Sequence, residues 1–174
     1  MIYGPSGIGK ESIARELAGR NGWKLFQQHL AFDISCAVVG FSNDGFEKYQ
    51  RKICLDAFET FYSNGVEGVV FTFCYVPPFS NYFIDGLFNF LEQKEIKADF
   101  VRVSCNIEQH ISRVTSEGRK NSNKIQTQKS LEAYLKRFDF SIDIPGVTTF
   151  DLESSDLSIN ESAIEIERYF DSQR

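Results

Sequence analysis

The run Gly4-Pro5-Ser6-Gly7-Ile8-Gly9-Lys10 constrains this chain more than any other stretch. Two glycines bracket four residues, a lysine follows at once, and the apolar stub Met1-Ile2-Tyr3 precedes them. Glycines at these positions let the backbone curl so that successive N–H groups point at one spot, a nest for phosphate oxygens. A helix opening at the lysine adds its positive end to the same place. Lys10 then supplies a mobile point charge for the outer phosphates of a nucleotide. A glycine-rich turn without ligand is the plain alternative, but the pattern here follows an apolar stub and opens an amphipathic helix, as the motif requires.

From Glu11 onward Ile13, Ala14, Leu17 and Ala18 recur on one helical face, ending near Gly19 and Gly22. Trp23 to Phe26 reads as a second strand, and residues 27–40 as a loop turning helical at Leu30. A long helix carries Phe46, Tyr49, Ile53, Ala57, Phe58 and Phe61, with Ser42, Asn43 or Asp44 as its cap and Asn64-Gly65 as its close. Gly68 to Val76 is a continuous β-prone run, the mark of a strand covered on both faces, and Pro77-Pro78 breaks it. Ser80 is expected to cap a helix with Phe83, Ile84, Leu87, Phe88 and Leu91. Asp99 to Cys105 forms the fourth strand, and Asn106 caps a helix with Ile107, Ile111 and Val114, Gln109 being placed for a capping box. Residues 117–128 are polar, basic and without periodicity. A short helix around Leu131, Tyr134, Leu135 and Phe138, a strand from Val147 to Leu152 and a helix from Asn160 to Phe170 complete the chain. Strands alternating with helices predict βαβ units: an α/β fold with a parallel sheet and helices on both faces, in one domain spanning 1–174. Three residues before Gly4 are short for a central strand, so further apolar residues upstream are expected to continue it.

Composition narrows the class. The 174 residues carry 17 Phe and a net charge of −5, enough aromatic bulk for a core and an acidic balance that disfavours nucleic acid as a partner. No apolar run reaches the roughly 20 residues of a membrane span, so no membrane partner is expected. Cys36, Cys54, Cys74 and Cys105 show neither CxxC pairing nor zinc-ligand spacing, which predicts free thiols and a cytoplasmic setting.

The loop at the start of the chain, the five strands and the basic segment before the last strand resemble the small P-loop kinases: shikimate kinase, adenylate kinase and chloramphenicol phosphotransferase. Gln28-His29-Leu30 through Asp33, and Phe71-Thr72-Phe73-Cys74-Tyr75, look closer still to an uncharacterised bacterial group labelled shikimate kinase-like. The resemblance implies a three-layer P-loop NTPase fold with strand order 2-3-1-4-5, ATP and Mg²⁺ as cofactors, and a site at the C-terminal ends of the strands. Glu11 stands where the pattern wants Ser or Thr, and the hydroxyl arrives at Ser12, as in the adenylate-kinase-like branch. By that resemblance Ser12 helps hold the phosphate or the Mg²⁺ shell, and Glu11 points away from the phosphates. Two departures argue against shikimate itself: Gln28-His29-Leu30 replaces an Asp-x-Asp, and Tyr75-Val76-Pro77-Pro78 replaces a glycine-rich turn. No carboxylate ends the third strand at Cys74 or Tyr75 either.

The candidate nucleotide-binding residues are Gly4, Pro5, Ser6, Gly7, Ile8, Gly9, Lys10, Glu11 and Ser12, with Arg113 and Arg119; Ser12 is also the candidate metal residue. Residues 117–128, including Arg119, Lys120 and Lys124 and with Arg113 upstream, fall where such kinases place a closing lid, with Gly118 as hinge. A solvated loop is the alternative. Lys10, Asp33 and Arg119 are the candidate catalytic residues, Asp33 preparing the acceptor and Arg119 closing over the transferred group. His29 and Asp33, four residues apart, share a face if helical and are the acceptor-side candidates; a loop His with a capping Asp is the bland reading. Arg51 is the third acceptor-side candidate, for an anionic group, against an ordinary surface charge. His110 reads as a surface residue. Glu153-Ser154-Ser155-Asp156 occupies the position that surrounds adenine, with its backbone expected to do most of the recognition. The leading function is an ATP-dependent phosphotransferase acting on a small hydroxylated molecule. A nucleotide-binding regulatory protein with little turnover and a 5′-hydroxyl kinase acting on nucleic acid are the rivals.

Overall fold

The computed structural model describes residues 1–41, 43–117 and 124–173. Five strands, β1 (Ile2–Tyr3), β2 (Lys24–Gln27), β3 (Val69–Phe73), β4 (Phe100–Ser104) and β5 (Thr149–Glu153), form one sheet in the order β2-β3-β1-β4-β5. Every pairing is parallel, with Ile2 opposite Thr72 on one side and Val101 on the other. Order and direction are those the resemblance implies. Parallel strands need crossovers, and α1 (Lys10–Asn21), α2 (Gln28–Val38), α3 (Phe46–Ser63), α4 (Asn81–Gln93), α5 (Ile107–Thr115), α6 (Gln128–Arg137) and α7 (Ile159–Ser172) lie between or after them. Among the described residues no helix is long and apolar enough to cross a membrane.

The two faces of the sheet carry different cores. On one, Phe26, Phe71, Phe73 and Phe100 meet Cys54 and Phe58 of α3 and Phe83, Ile84 and Leu87 of α4. Phe71 lies 5.1 Å from Phe58 edge to face, and Phe73 stacks on Phe83 at 4.8 Å, so phenyl rings fill this layer. On the other face Ile2, Val70, Val101, Val103 and Leu152 pack on Ile13, Ala14, Leu17 and Ala18 of α1 and on Ala163 and Ile166 of α7. Small and branched residues there let the helices approach closely. All four cysteines are free, and burial pushes the Cys54 thiol up to about 12.

Several boundaries differ from expectation for local reasons. β2 runs one residue later than expected, and Trp23 before it packs on Gly68, where any Cβ would stand 2.4 Å from the ring. Residues 28–38 form a full helix, not a loop becoming one. Neither Asn43 nor Asp44 caps α3: Gly45, at φ 88, holds the N-cap position, and the Asn43 amide donates back to Val39 O at the end of α2 (2.7 Å). Ser42 lies outside the described residues. Ser80 precedes α4, but its hydroxyl accepts from Val76 N–H at 2.9 Å and does not cap the helix. Asn106 does cap α5, accepting from Gln109 N–H. Ser158, not Asn160, begins the last helix through a capping box with Glu161.

Candidate functional site

The loop between β1 and α1 rises at the C-terminal edge of the central strand. Gly4 has φ 144, and a Cβ there would stand 2.5 Å from Val103 O, so only glycine lets the loop leave β1 against β4. Gly9, at φ 104, turns the chain into α1 as its N-cap with no side-chain cap, so the first-turn N–H groups are left for the loop's interior. The Lys10 ammonium folds over the loop and donates to Gly4 O (2.9 Å) and Pro5 O (2.7 Å). Gly7, at φ 87, and the buried Ile8 complete the turn.

Two helices that flank residues 118–123 hold the loop from outside. From α5, His110 Nε2 donates to Ser6 O at 2.8 Å, and Arg113 donates to Ile8 O at 2.7 Å and to Ser154 Oγ and O at 3.0 and 2.6 Å. From α6, Tyr134 Oη accepts from Ser6 N–H at 3.3 Å and bonds Cys74 Sγ at 2.8 Å. His110 is thus 3% exposed, not a surface residue. The face of α5 that turns inward is His110 and Val114, while Ile107 is exposed. A ring with an apolar body and a polar tip satisfies the Ser6 carbonyl there, which an aliphatic side chain would leave bare.

Arg113 joins the loop to the segment after β5. Ser154 N–H goes to Ser104 O, Ser154 O to Arg113, and Ser155 N–H to the Glu153 carboxylate. Much of the backbone expected to recognise adenine is therefore engaged within the protein. Pro5 and Ile8, with Cys105, Leu135, Phe140 and Glu153, help line a cavity of about 430 Å³, within the usual size of a small-molecule site. Burial raises the Cys105 thiol, and Arg113 offsets this in part.

Glu11 faces the base of the 117–128 segment. Its carboxylate accepts from Lys124 Nζ at 2.8 Å and from Arg15 at 3.0 Å. Burial opposes ionisation, but the bond and charge of Lys124, with Arg15 beside it, hold the carboxyl below its usual range. Ser12 is exposed on the first turn of α1. Gly118, Arg119 and Lys120 lie outside the described residues.

At the end of β2, α2 begins at once, and Gln28 Oε1 accepts from Cys74 N–H at 3.2 Å, fixing the helix to the tip of β3. His29 and Asp33 lie on one face of α2, with Nε2 and Oδ2 3.4 Å apart, and the His29 ring stacks on Phe32. Arg51 is half-buried between α3 and α4. Its guanidinium lies 3.8 Å over the Tyr82 ring and against Gly86, where a Cβ would come within 2.3 Å of it. Its buried Nε has no hydrogen-bond partner among the described residues. Sequence reasoning missed His110's burial, Tyr134 and Gly86. The last left a signal, since a glycine inside a helix costs about 1 kcal/mol and is kept for a close approach.

No family model matches the chain, and no curated protein matches it. Solved structures do. A sugar kinase from Janibacter sp. superposes with a TM-score of 0.66 at 15% identity, over 98% of this chain and 92% of that one. A shikimate kinase from Acinetobacter baumannii, in complex with shikimate, gives 0.63 at 15% identity over 99% and 92%. The APS kinase of Mycobacterium tuberculosis, in complex with AMPPNP and APS, gives 0.58 at 18% identity over 98% and 95%. The chain has the fold of the small P-loop kinases.

Proposed function

We propose that this chain is an ATP-dependent phosphotransferase that acts on a small hydroxylated molecule. The observation that carries the reading is the Gly4–Lys10 loop, rising from the central strand, opening α1 and folding the Lys10 ammonium over its own carbonyls. Kinases of the same fold lend support, one of them holding AMPPNP. In this reading Gly4 to Ser12 cradle the phosphates, and Lys10 transfers its bonds from Gly4 O and Pro5 O to phosphate oxygens. Arg113 holds the loop in shape, its contacts with Ile8 and Ser154 bringing the nucleotide-binding edge together. Arg119 closes over the transferred group.

Mg²⁺ fits the residues present. Such ions are bound through few protein ligands, phosphates and water, and the Ser12 hydroxyl stands exposed on the first turn of α1. Ser12 would hold the ion's shell, and a bound ion would supply charge neutralisation at the phosphates. Glu11, already engaged by Lys124 and Arg15, stays clear of it.

Asp33 prepares the acceptor hydroxyl, with His29 orienting the carboxylate across 3.4 Å. Arg51, whose guanidinium lies over the Tyr82 ring, is the cation offered to an anionic group of the acceptor, and Gly86 leaves room for the guanidinium. ADP release measured across a panel of small alcohols, with and without a carboxylate or phosphate, tests this. An acceptor should be found among the anionic alcohols. Asp33→Asn should then lose about 100-fold or more in turnover with ATP affinity nearly unchanged. One observation favours a second reading, a nucleotide-binding regulator with little turnover: Cys74, not a carboxylate, follows β3. ATP binding without acceptor-dependent ADP release would select it.

A further inference from the structure

The backbone N–H and C=O of Ser6 are both gripped, and the two grips differ in kind. His110 Nε2 donates to its carbonyl, an acceptor that a phosphate oxygen could not engage. Tyr134 Oη accepts from its N–H, the role that a phosphate oxygen would play. The phenol is well suited to that place. Burial raises its pKa, chiefly by desolvation, so it stays neutral. A neutral hydroxyl can accept from Ser6 N–H while exchanging a second hydrogen bond with Cys74 Sγ. Its ring packs on Phe138 and Phe140 at 5.5 and 4.9 Å, which seats it without help from the loop. Lys10 satisfies its loop-facing donors in the same inward fashion, on Gly4 O and Pro5 O.

We propose that Tyr134 is a built-in occupant of the loop, an oxygen acceptor on Ser6 N–H that the outermost phosphate of a bound ligand displaces. The inference rests on the phosphate-binding reading of Gly4–Lys10. An anionic oxygen bonds an N–H about twice as strongly as a neutral hydroxyl, so the exchange runs toward the ligand. Displacement frees the Tyr134 hydroxyl from Ser6 N–H, while its ring stays packed on Phe138 and Phe140. Tyr134 is a positioning residue in this scheme and not a catalytic one.

The test uses the whole chain and inorganic tripolyphosphate, which has no base or sugar to complicate the reading. Tyr134→Phe keeps the ring packing and removes the competing oxygen. Calorimetric affinity for tripolyphosphate should rise about two- to tenfold, the worth of one neutral hydrogen bond. Without ligand, the Ser6 amide should exchange with solvent faster by a similar factor. Cys74→Ala, which leaves Tyr134 in place but removes its other partner, should shift both readouts the same way by less. A merely structural Tyr134 would give weaker binding in the Phe variant, and equal or weaker binding overturns the proposal. Failure of wild type and variants alike to bind tripolyphosphate overturns it together with the phosphate-binding reading, which separates the two failures.

Discussion

Arg113 distinguishes a residue that builds the site from one that waits for a ligand. Its guanidinium makes three bonds, to Ile8 O at 2.7 Å, Ser154 Oγ at 3.0 Å and Ser154 O at 2.6 Å, and they tie the loop after β1 to the segment after β5. Hydrogen bonds to a charged group contribute about 1.5–3 kcal/mol each, but three made by one half-buried side chain do not add. Arg113→Ala leaves two carbonyls to find water, and we expect a loss of roughly 2–4 kcal/mol in the ligand-free protein. With a urea slope of about 2 kcal/mol/M the unfolding midpoint falls by about 1–2 M. In a chain of this size the melting temperature falls by roughly 5–15 °C. Arg113→Lys, whose ammonium reaches one carbonyl at a time, should fall between. The assay is equilibrium urea unfolding without nucleotide. A variant whose midpoint stays within about 0.2 M of wild type would refute the reasoning and make Arg113 an arm that contacts ligand alone.

Two further outcomes follow from the same loop. Gly4→Ala should cost about 2–4 kcal/mol by thermal unfolding, since the new Cβ would stand 2.5 Å from Val103 O at a φ of 144; a loss below about 0.5 kcal/mol would contradict that close approach. For Glu11 the folded carboxyl lies below its ordinary pKa, so its contribution is present above about pH 4.3 and is lost as pH falls through the lowered value. Glu11→Gln should therefore cost about 0.2–1 kcal/mol at pH 7, a modest figure because the pair is partly solvated. That gap should narrow as the pH falls below the ordinary carboxylate range, and a gap independent of pH in urea unfolding would count against the Lys124 contact.

How far the sequence carried the fold depended on the kind of signal. The alternation of Gly68–Val76 and Asp99–Cys105 with helical periodicities announced the parallel sheet, because strands buried on both faces are written as unbroken apolar runs. Strand order had no local signature and came from family resemblance alone. Periodicity misled at α5, where Ile107, Ile111 and Val114 suggested one face and the packed residues are His110 and Val114. A histidine bonded to a backbone carbonyl 104 positions away leaves no trace in local pattern. Tyr134 was legible as helical but not as a partner of Ser6 or Cys74, since both contacts form only when α6 crosses over the loop. Asn43 and Ser80 looked like caps, yet each spends its side chain on the chain behind it, on Val39 O and Val76 N–H. Such competition between local acceptors and donors is decided by geometry that residue types do not encode.

The phosphate-binding role of Gly4–Lys10 is tested most directly by calorimetric titration of ATP with Mg²⁺ into wild type and Lys10→Ala. Lys10 donates to main-chain oxygens of its own loop, and a matching unfolding midpoint will verify that the variant folds. The account predicts saturable binding by wild type and a loss of about 10- to 100-fold or more in the variant, the worth of a charge-assisted bond to phosphate. Equal affinity in the two folded proteins, or no binding by wild type, would contradict it.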